Sequence, residues 1–283
     1  MYWLAPMESV SDEGYRSLCR LLGADFSFTE MIRASAFNRK NPSTLSLIDT
    51  YTGPVGVQFL TKSPAELKKT LELFFTLREE KEYAHLKNIT AIDLNFGCPS
   101  PDIIKMGAGP ALLKRTTRMK EIIRTLSRTK EYDKSIAIGV KLRLGLNQKE
   151  KEQRVIYRFS QTINEELDFC TLHAKHAGQR GSEKADWDEM REFRKTITTK
   201  FLANGSAHTK DQVHALQQHT KADGVMIARG AFNPWIFREL KGGAQAKIEE
   251  IEQAHKNYLA TKPKKKFLEY NNKLFSELKK SQI

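Results

Sequence analysis

The residues with the most chemical content lie in Asp93-Leu94-Asn95-Phe96-Gly97-Cys98-Pro99 and, just beyond, Lys105-Met106-Gly107-Ala108-Gly109. A short apolar run ends in a Gly-Cys-Pro turn, so a thiol stands at the mouth of a strand with a small-residue loop behind it. A cysteine at a strand end is more often a buried packing residue. The flanking Gly and Pro mark a loop, where reactive groups concentrate. A thiol with a pKa of about 8.5 is mostly protonated at neutral pH, so Cys98 can serve as an acid.

Polar residues end nearly every other apolar run. They are Ala5-Pro6-Met7, Glu30, Gln58, Asn95, Lys141 with Arg143, His173, Asn204-Gly205 and Ala228-Arg229-Gly230. The last two groups offer small residues where backbone amides can approach an anion, and Arg229 adds a fork of donors. A lysine on a strand that points inward is costly unless an anion meets it. Lys141 therefore faces either a bound anion or a carboxylate such as Glu30 or Asp93. Together these groups describe a pocket for a polar, planar ligand carrying a phosphate.

Eight β-rich runs must position those tips: residues 2–6, 26–31, 55–60, 92–95, 136–142, 169–173, 201–203 and 225–227. Helical stretches separate them, including 65–77, opened by Ser63-Pro64, then 116–130 and 211–219. Eight strands alternating with helices predict an α/β fold, a (β/α)8 TIM barrel, typically about 250 residues long. A doubly wound sheet would be expected to carry a Gly-rich turn after its first strand. Pro6-Met7-Glu8-Ser9 stands there instead. In such a barrel the active site lies at the C-terminal strand ends, with a frequent phosphate site after strands seven and eight.

The character changes after Asn233-Pro234-Trp235. Residues 241–283 hold ten Lys and five acidic residues. Ile248, Ile251, His255, Tyr258 and Leu259 follow helical spacing, as do Phe267, Tyr270, Leu274 and Leu278. The division predicts a barrel over 1–238 and a small helical domain over 239–283, two helices joined by the basic run Lys262-Pro263-Lys264-Lys265-Lys266. That run is either a phosphate contact or a solvated turn.

The 283 residues carry a net charge of +13 and a pI near 9.5, a field that attracts polyanions. Cys19, Cys98 and Cys170 are widely spaced with no CxxC pair, so no zinc site is expected. Sparse, odd cysteines fit a reducing cytoplasm. No signal peptide or membrane span is expected. Cys19 and Cys170 sit in apolar periodic settings, and with Trp187 and Trp235 they read as packing residues.

In order along the chain stand Ala5-Pro6-Met7 with Val10-Ser11-Asp12, Val57-Gln58, the 93–99 and 105–109 blocks with Leu112-Leu113, and Val140-Lys141-Leu142-Arg143-Leu144-Gly145. Leu172-His173-Ala174-Lys175, Ala185-Asp186-Trp187, Asn204-Gly205 and Arg229-Gly230 follow. Over roughly residues 2–240 this set resembles the tRNA-dihydrouridine synthases. The resemblance implies an FMN-dependent barrel with a helical domain that grips tRNA, reducing uridines to 5,6-dihydrouridine with NADPH as the reductant. It implies Cys98 as the catalytic acid. FMN would be held by Ala5, Pro6, Met7, Gln58, Lys141, His173, Asn204, Gly205, Ala228 and Arg229, and substrate by Asn95, Lys105, Arg143 and Lys175. Lys175 stands where the family more often has Arg, and Ser206 where Asp is common. The C-terminal region is short for the family, and the 262–266 cluster is the candidate to compensate.

A monomer is expected. The rival function is an FMN-dependent dehydrogenase of a free pyrimidine, of the dihydroorotate or dihydropyrimidine type, which needs neither the charge nor the basic tail. A non-catalytic RNA-binding barrel would have no use for Cys98 or the cofactor set.

Overall fold

A computed structural model describes residues 1–48 and 53–281. Eight parallel strands close in sequence order into a barrel, which excludes the doubly wound sheet. They are β1 (Tyr2–Leu4), β2 (Phe26–Arg33), β3 (Val55–Leu60), β4 (Ile89–Phe96), β5 (Ala137–Gly145), β6 (Phe169–His176), β7 (Lys200–Asn204) and β8 (Gly224–Ile227). The first strand pairs with the last, Trp3 opposite Met226. All eight expected strands are present, several of them longer than their apolar runs. β1 is shorter: Ala5 N–H still reaches Ile227 O at 2.9 Å, but Pro6 has no N–H to continue the ladder.

Helices cover the outside of the barrel. Helix Pro64–Glu79 starts where Ser63 caps it, its Oγ accepting from Glu66 N. Helix Lys210–Thr220 is capped in the same way by Thr209, and Trp187–Arg194 by Asp186. The stretch expected as one helix over 116–130 is two, Thr116–Ser127 and Thr129–Tyr132. At the break the Ser127 hydroxyl bonds the Arg124 carbonyl, a local competitor to the helical ladder. After β2 the covering is two four-residue helices, Ala34–Phe37 and Pro42–Leu45.

The strand period of two decides what fills the barrel. Reading up each strand, the inward residues pass from apolar or glycine to polar: Gly56 to Gln58, Ala91 to Asp93 to Asn95, Gly139 to Lys141 to Arg143, Phe169 to Thr171 to His173, and Leu202 to Asn204. The lower tier is an aromatic plug. Trp3 lies 5.2 Å from Phe26 and from Phe169, and 5.8 Å from Phe28, centroid to centroid. Glycines make room for it: a Cβ on Gly56 would meet the Phe28 ring at 2.3 Å, and one on Gly139 the Phe169 ring at 2.2 Å. With the bottom sealed, the end of the barrel lined by polar residues, among the described residues, is the C-terminal one.

The tail forms two helices, Ile248–Ala260 and Lys265–Lys280. Ile251, Tyr258, Phe267 and Leu274 of the expected stripes are buried, and Leu259 and Tyr270 are exposed. Phe275, outside the stripes, is fully buried and stacks on His255 at 4.6 Å. Lys265 and Lys266 lie inside the second helix, which shortens the expected basic loop. Among the described residues no helix is long and apolar enough to cross a membrane.

Gly139→Ala forces a methyl into the Phe169 ring inside a packed plug. We expect a loss of about 1–3 kcal/mol, measured as a lower urea midpoint at unchanged slope.

Candidate active site

Strand register lifts the polar residues to one level. Gln58 stands opposite Asp93, Asn95 opposite Lys141, Arg143 opposite His173, and His173 opposite Asn204. On the β3–β4 side they form a chain of hydrogen bonds. Gln58 Nε2 donates to Asp93 Oδ2 at 2.6 Å, and Asn95 Nδ2 donates to Gln58 Oε1 at 2.8 Å. Asn95 Oδ1 accepts from Gly97 N at 3.0 Å and from Cys98 N at 2.8 Å. The Asn of the Asn-x-Gly-Cys-Pro block thus shapes the turn that carries the thiol. Gly109 completes it: at φ +58° it lies where a Cβ would come 3.0 Å from Ile103 and 3.4 Å from Cys98 O. Cys98 is half-buried and packs beside Leu60, Ile103 and Ala108. Burial pushes its pKa up, so the thiol is protonated at neutral pH. Cys19 and Cys170 are fully buried in the core, as expected.

Across the mouth, a cavity of about 200 Å³ is lined by Ala5 and Pro6 of the β1 tip, Lys141, Arg143, His173, Asn204-Gly205 and Ala228-Arg229. Nine of the residues expected at the site therefore meet in one hollow. Cys98 stands outside that lining, on the β4 rim, which barrel closure places opposite β8. Sequence reasoning missed His208 and Ala207, which line the same cavity four and three residues past Asn204, along with Met226. The signal was the length of the loop after β7, where the small residues run on to His208.

The cavity is electropositive, and no carboxylate is among its lining residues. Lys141 Nζ donates to Asn204 Oδ1 at 3.2 Å, and Asn204 is itself fixed by donating to Met226 O at 2.6 Å. The Glu30 partner considered for Lys141 is taken by Lys266 of the tail. Burial, and the neighbouring Arg143, lower Lys141 to about 8. Burial also lowers Arg143 to about 10 and holds His173 well below its usual range, so the imidazole is neutral. Asp93 is raised by burial to about 7. Asp93 Oδ1, Thr171 Oγ1 and His173 Nε2 are buried without a hydrogen-bond partner in the protein. Crowded cations and unmatched polar atoms at one level favour an anionic, hydrogen-bonding ligand. Gly205, at φ +110°, lets the β7 loop close over it, since a Cβ there would sit 2.4 Å from the His173 ring.

A scan against protein-family models matches residues 3–282 to "Dihydrouridine synthase (Dus)". The chain belongs to the dihydrouridine synthase family. It is 30% identical over 241 residues to a probable tRNA-dihydrouridine synthase of Aquifex aeolicus, a match covering 84% of this chain and 72% of that protein. It is 27% identical to a tRNA-dihydrouridine(47) synthase [NAD(P)(+)] of Lodderomyces elongisporus, covering 84% of this chain and 39% of that longer protein. Among solved structures, histamine dehydrogenase from Rhizobium has the same barrel, with a TM-score of 0.60 at 11% identity, covering 90% of this chain and 46% of that one.

Within this member of the family, the other expected substrate contacts fall in different places. Lys105 ends the short helix Pro101–Lys105 and is exposed. Arg143 reaches the His176 carbonyl at 3.2 Å. Lys175 is buried beneath the loop after β6 and donates to Arg180 O at 3.2 Å and Gly181 O at 3.0 Å. Arg229 Nη2 reaches the same Gly181 carbonyl at 2.8 Å. Lysine suits this converging pair of carbonyls, since its three rotatable donors need no planar fork. Met7 packs against the aromatic plug, and its N–H is held by Ser11 Oγ at 2.9 Å.

Asp93 gives the site a pH signature. A folded pKa of about 7, raised from 3.8, means stability contributed below about pH 4 is lost as pH rises toward 7. Relative to Asp93→Asn, the wild type should lose stability between pH 4 and 7 and stay level above it, as read from urea midpoints across that range.

Proposed function

We propose that this protein is a tRNA-dihydrouridine synthase that reduces particular uridines in tRNA to 5,6-dihydrouridine, with FMN bound at the barrel mouth and NADPH as the reductant. The observation that carries this reading is the pairing of a cationic hollow of about 200 Å³ at the β5–β8 tips with a protonated thiol on the β4 rim. Family membership and the named relatives support it, as does a net charge of +13.

The mouth residues fit FMN. The phosphate would lie against the Asn204-Gly205 and Ala228-Arg229 loops, where backbone amides and the Arg229 fork converge. Gln58, Lys141 and His173 would edge the ring system over the backbone of Ala5, Pro6 and Met7. The unmatched His173 Nε2 and the Lys141 ammonium supply the hydrogen bond and positive charge that such a ring calls for. When bound, FMN supplies the hydride that reaches uracil carbon 6, having drawn it from NADPH.

The chain does the rest. Reduction at carbon 6 builds negative charge at carbon 5, and the Cys98 thiol delivers the proton there. Burial keeps that thiol neutral, so it works as an acid and not as a nucleophile. Asn95 sets its backbone, and Asn95, Lys105 and Arg143 would border the path by which the base enters. Lys175 would act there by holding the loop over residues 177–184. A uridine inside folded tRNA must be extruded to reach this depth, while basic surface holds the phosphate backbone. Residues 1–238 form the catalytic part and 239–283 the tRNA-contacting part of a cytoplasmic monomer.

Cys98→Ala should lower turnover by about 10²- to 10⁴-fold while FMN and tRNA binding persist. The assay is dihydrouridine formed from unmodified tRNA with NADPH. Free uridine monophosphate runs in parallel, and its reduction in place of tRNA would favour a free-pyrimidine dehydrogenase. Near-normal turnover in the variant would remove Cys98 as the acid.

A further inference from the structure

The C-terminal helices reach the cofactor end of the barrel as well as facing solvent. The loop over residues 7–12 follows the β1 tip, whose Ala5 and Pro6 line the cavity. On its inner side it is tied by its own Ser11, whose Oγ accepts from Met7 N and donates to Met7 O, and by buried Arg16, which donates to Ser11 O at 2.7 Å. Asp12 caps the helix that follows, its Oδ1 accepting from Tyr15 N at 2.9 Å, and the tail holds the outer side of the loop. Tyr258 OH donates to Asp12 Oδ2 at 2.9 Å. The fully buried Asn271 donates from Nδ2 to Val10 O at 3.2 Å and to Tyr258 OH at 2.9 Å. Lys266 pairs with Glu30, a carboxylate only 3% exposed at the top of β2, and that carboxylate accepts from Ser9 N at 2.9 Å. Ser9 sits at φ +61°, a conformation a serine keeps only when its surroundings hold it.

These contacts come from two tail helices and converge on Val10 and Asp12 directly and on Ser9 through Glu30. Lys266 turns its charge inward to a buried carboxylate, and Asn271 is wholly enclosed. Without Lys266, Glu30 would be a buried charge held by little more than one amide.

We propose that Tyr258, Lys266 and Asn271 are positioning residues for the cofactor site, fixing the β1 loop so that the backbone of Ala5, Pro6 and Met7 forms one wall of the flavin pocket. The proposal rests on the reading of the mouth as an FMN site. It makes the short tail part of the cofactor pocket, beyond any grip on tRNA.

The test uses the full chain with Lys266→Met, Lys266→Arg and Tyr258→Phe, the last two keeping charge or ring. Two measurements are made without tRNA: amide hydrogen exchange over residues 7–12 in the flavin-free protein, and FMN affinity by titration of flavin fluorescence. We expect Lys266→Met and Tyr258→Phe to speed exchange in that loop and to raise the FMN dissociation constant about three- to tenfold, the range one or two lost hydrogen bonds produce. Lys266→Arg should restore both, and the far-ultraviolet circular dichroism of all variants should match the wild type. Where a Lys266 variant does not fold, Tyr258→Phe, which deletes a single hydroxyl, decides alone. Wild-type flavin binding with unchanged exchange and affinity in the folded variants would overturn the proposal and leave the FMN site standing. A wild type that takes up no FMN would overturn both.

Discussion

Barrel closure with a side-chain period of two is the constraint on which everything else in this protein depends. Because the strands are parallel and joined in order, their C-terminal tips form one ring. Because alternate residues point inward, each strand contributes a stack of lumen residues, and the height of each is set by register. Trp3, Phe26, Phe28 and Phe169 close the lower part of the lumen, with Gly56 and Gly139 yielding the space. The next tier is polar on five strands at once. A seal below and a polar ring above make a pocket open only to the loop side.

Charge then divides that ring into two halves with different work. The β3–β4 half carries no cation, and it runs Asp93, Gln58, Asn95 and the Cys98 turn in one line of hydrogen bonds. Its product is a fixed turn and an uncharged thiol. The β5–β8 half holds Lys141, Arg143 and Lys175, whose proton affinity is lowered by burial and further by the neighbouring charges of Arg143 and Arg229. Such a cluster is stabilised by an incoming anion and destabilised without one. An acid beside a cation-lined hollow is the arrangement a proton-coupled reduction of a neutral base needs.

The tail changes in meaning once it is seen folded. Its lysines are not a uniform cationic strip. Lys265 faces solvent beside Glu269, while Lys266, the next residue, is committed to buried Glu30. Its apolar stripe docks on the barrel through Ile251, Tyr258, Leu274 and Phe275, continuous with the main core. A segment of this size cannot fold by itself on the area it buries, so it takes its order from the barrel and lends order to the β1 loop in return.

The chain by itself determined the architecture, because apolar runs of three to seven residues broken by helical stretches repeat eight times, and that rhythm is local. It determined the chemical identity of the strand tips too, since Gln58, Asn95, Cys98, Lys141, His173 and Asn204 each end an apolar run. Only the tertiary structure decided how those tips are used. Glu30 went to Lys266 and not to Lys141, Asn95 turned its oxygen onto its own loop, and Lys175 went beneath the loop over residues 177–184. His208 joined the pocket from beyond the strand, and Phe275 replaced Tyr270 as a core residue. Local periodicity says which side of a strand or helix a residue occupies. Partners separated by tens to hundreds of positions are chosen by register and packing, which exist only once the barrel has closed.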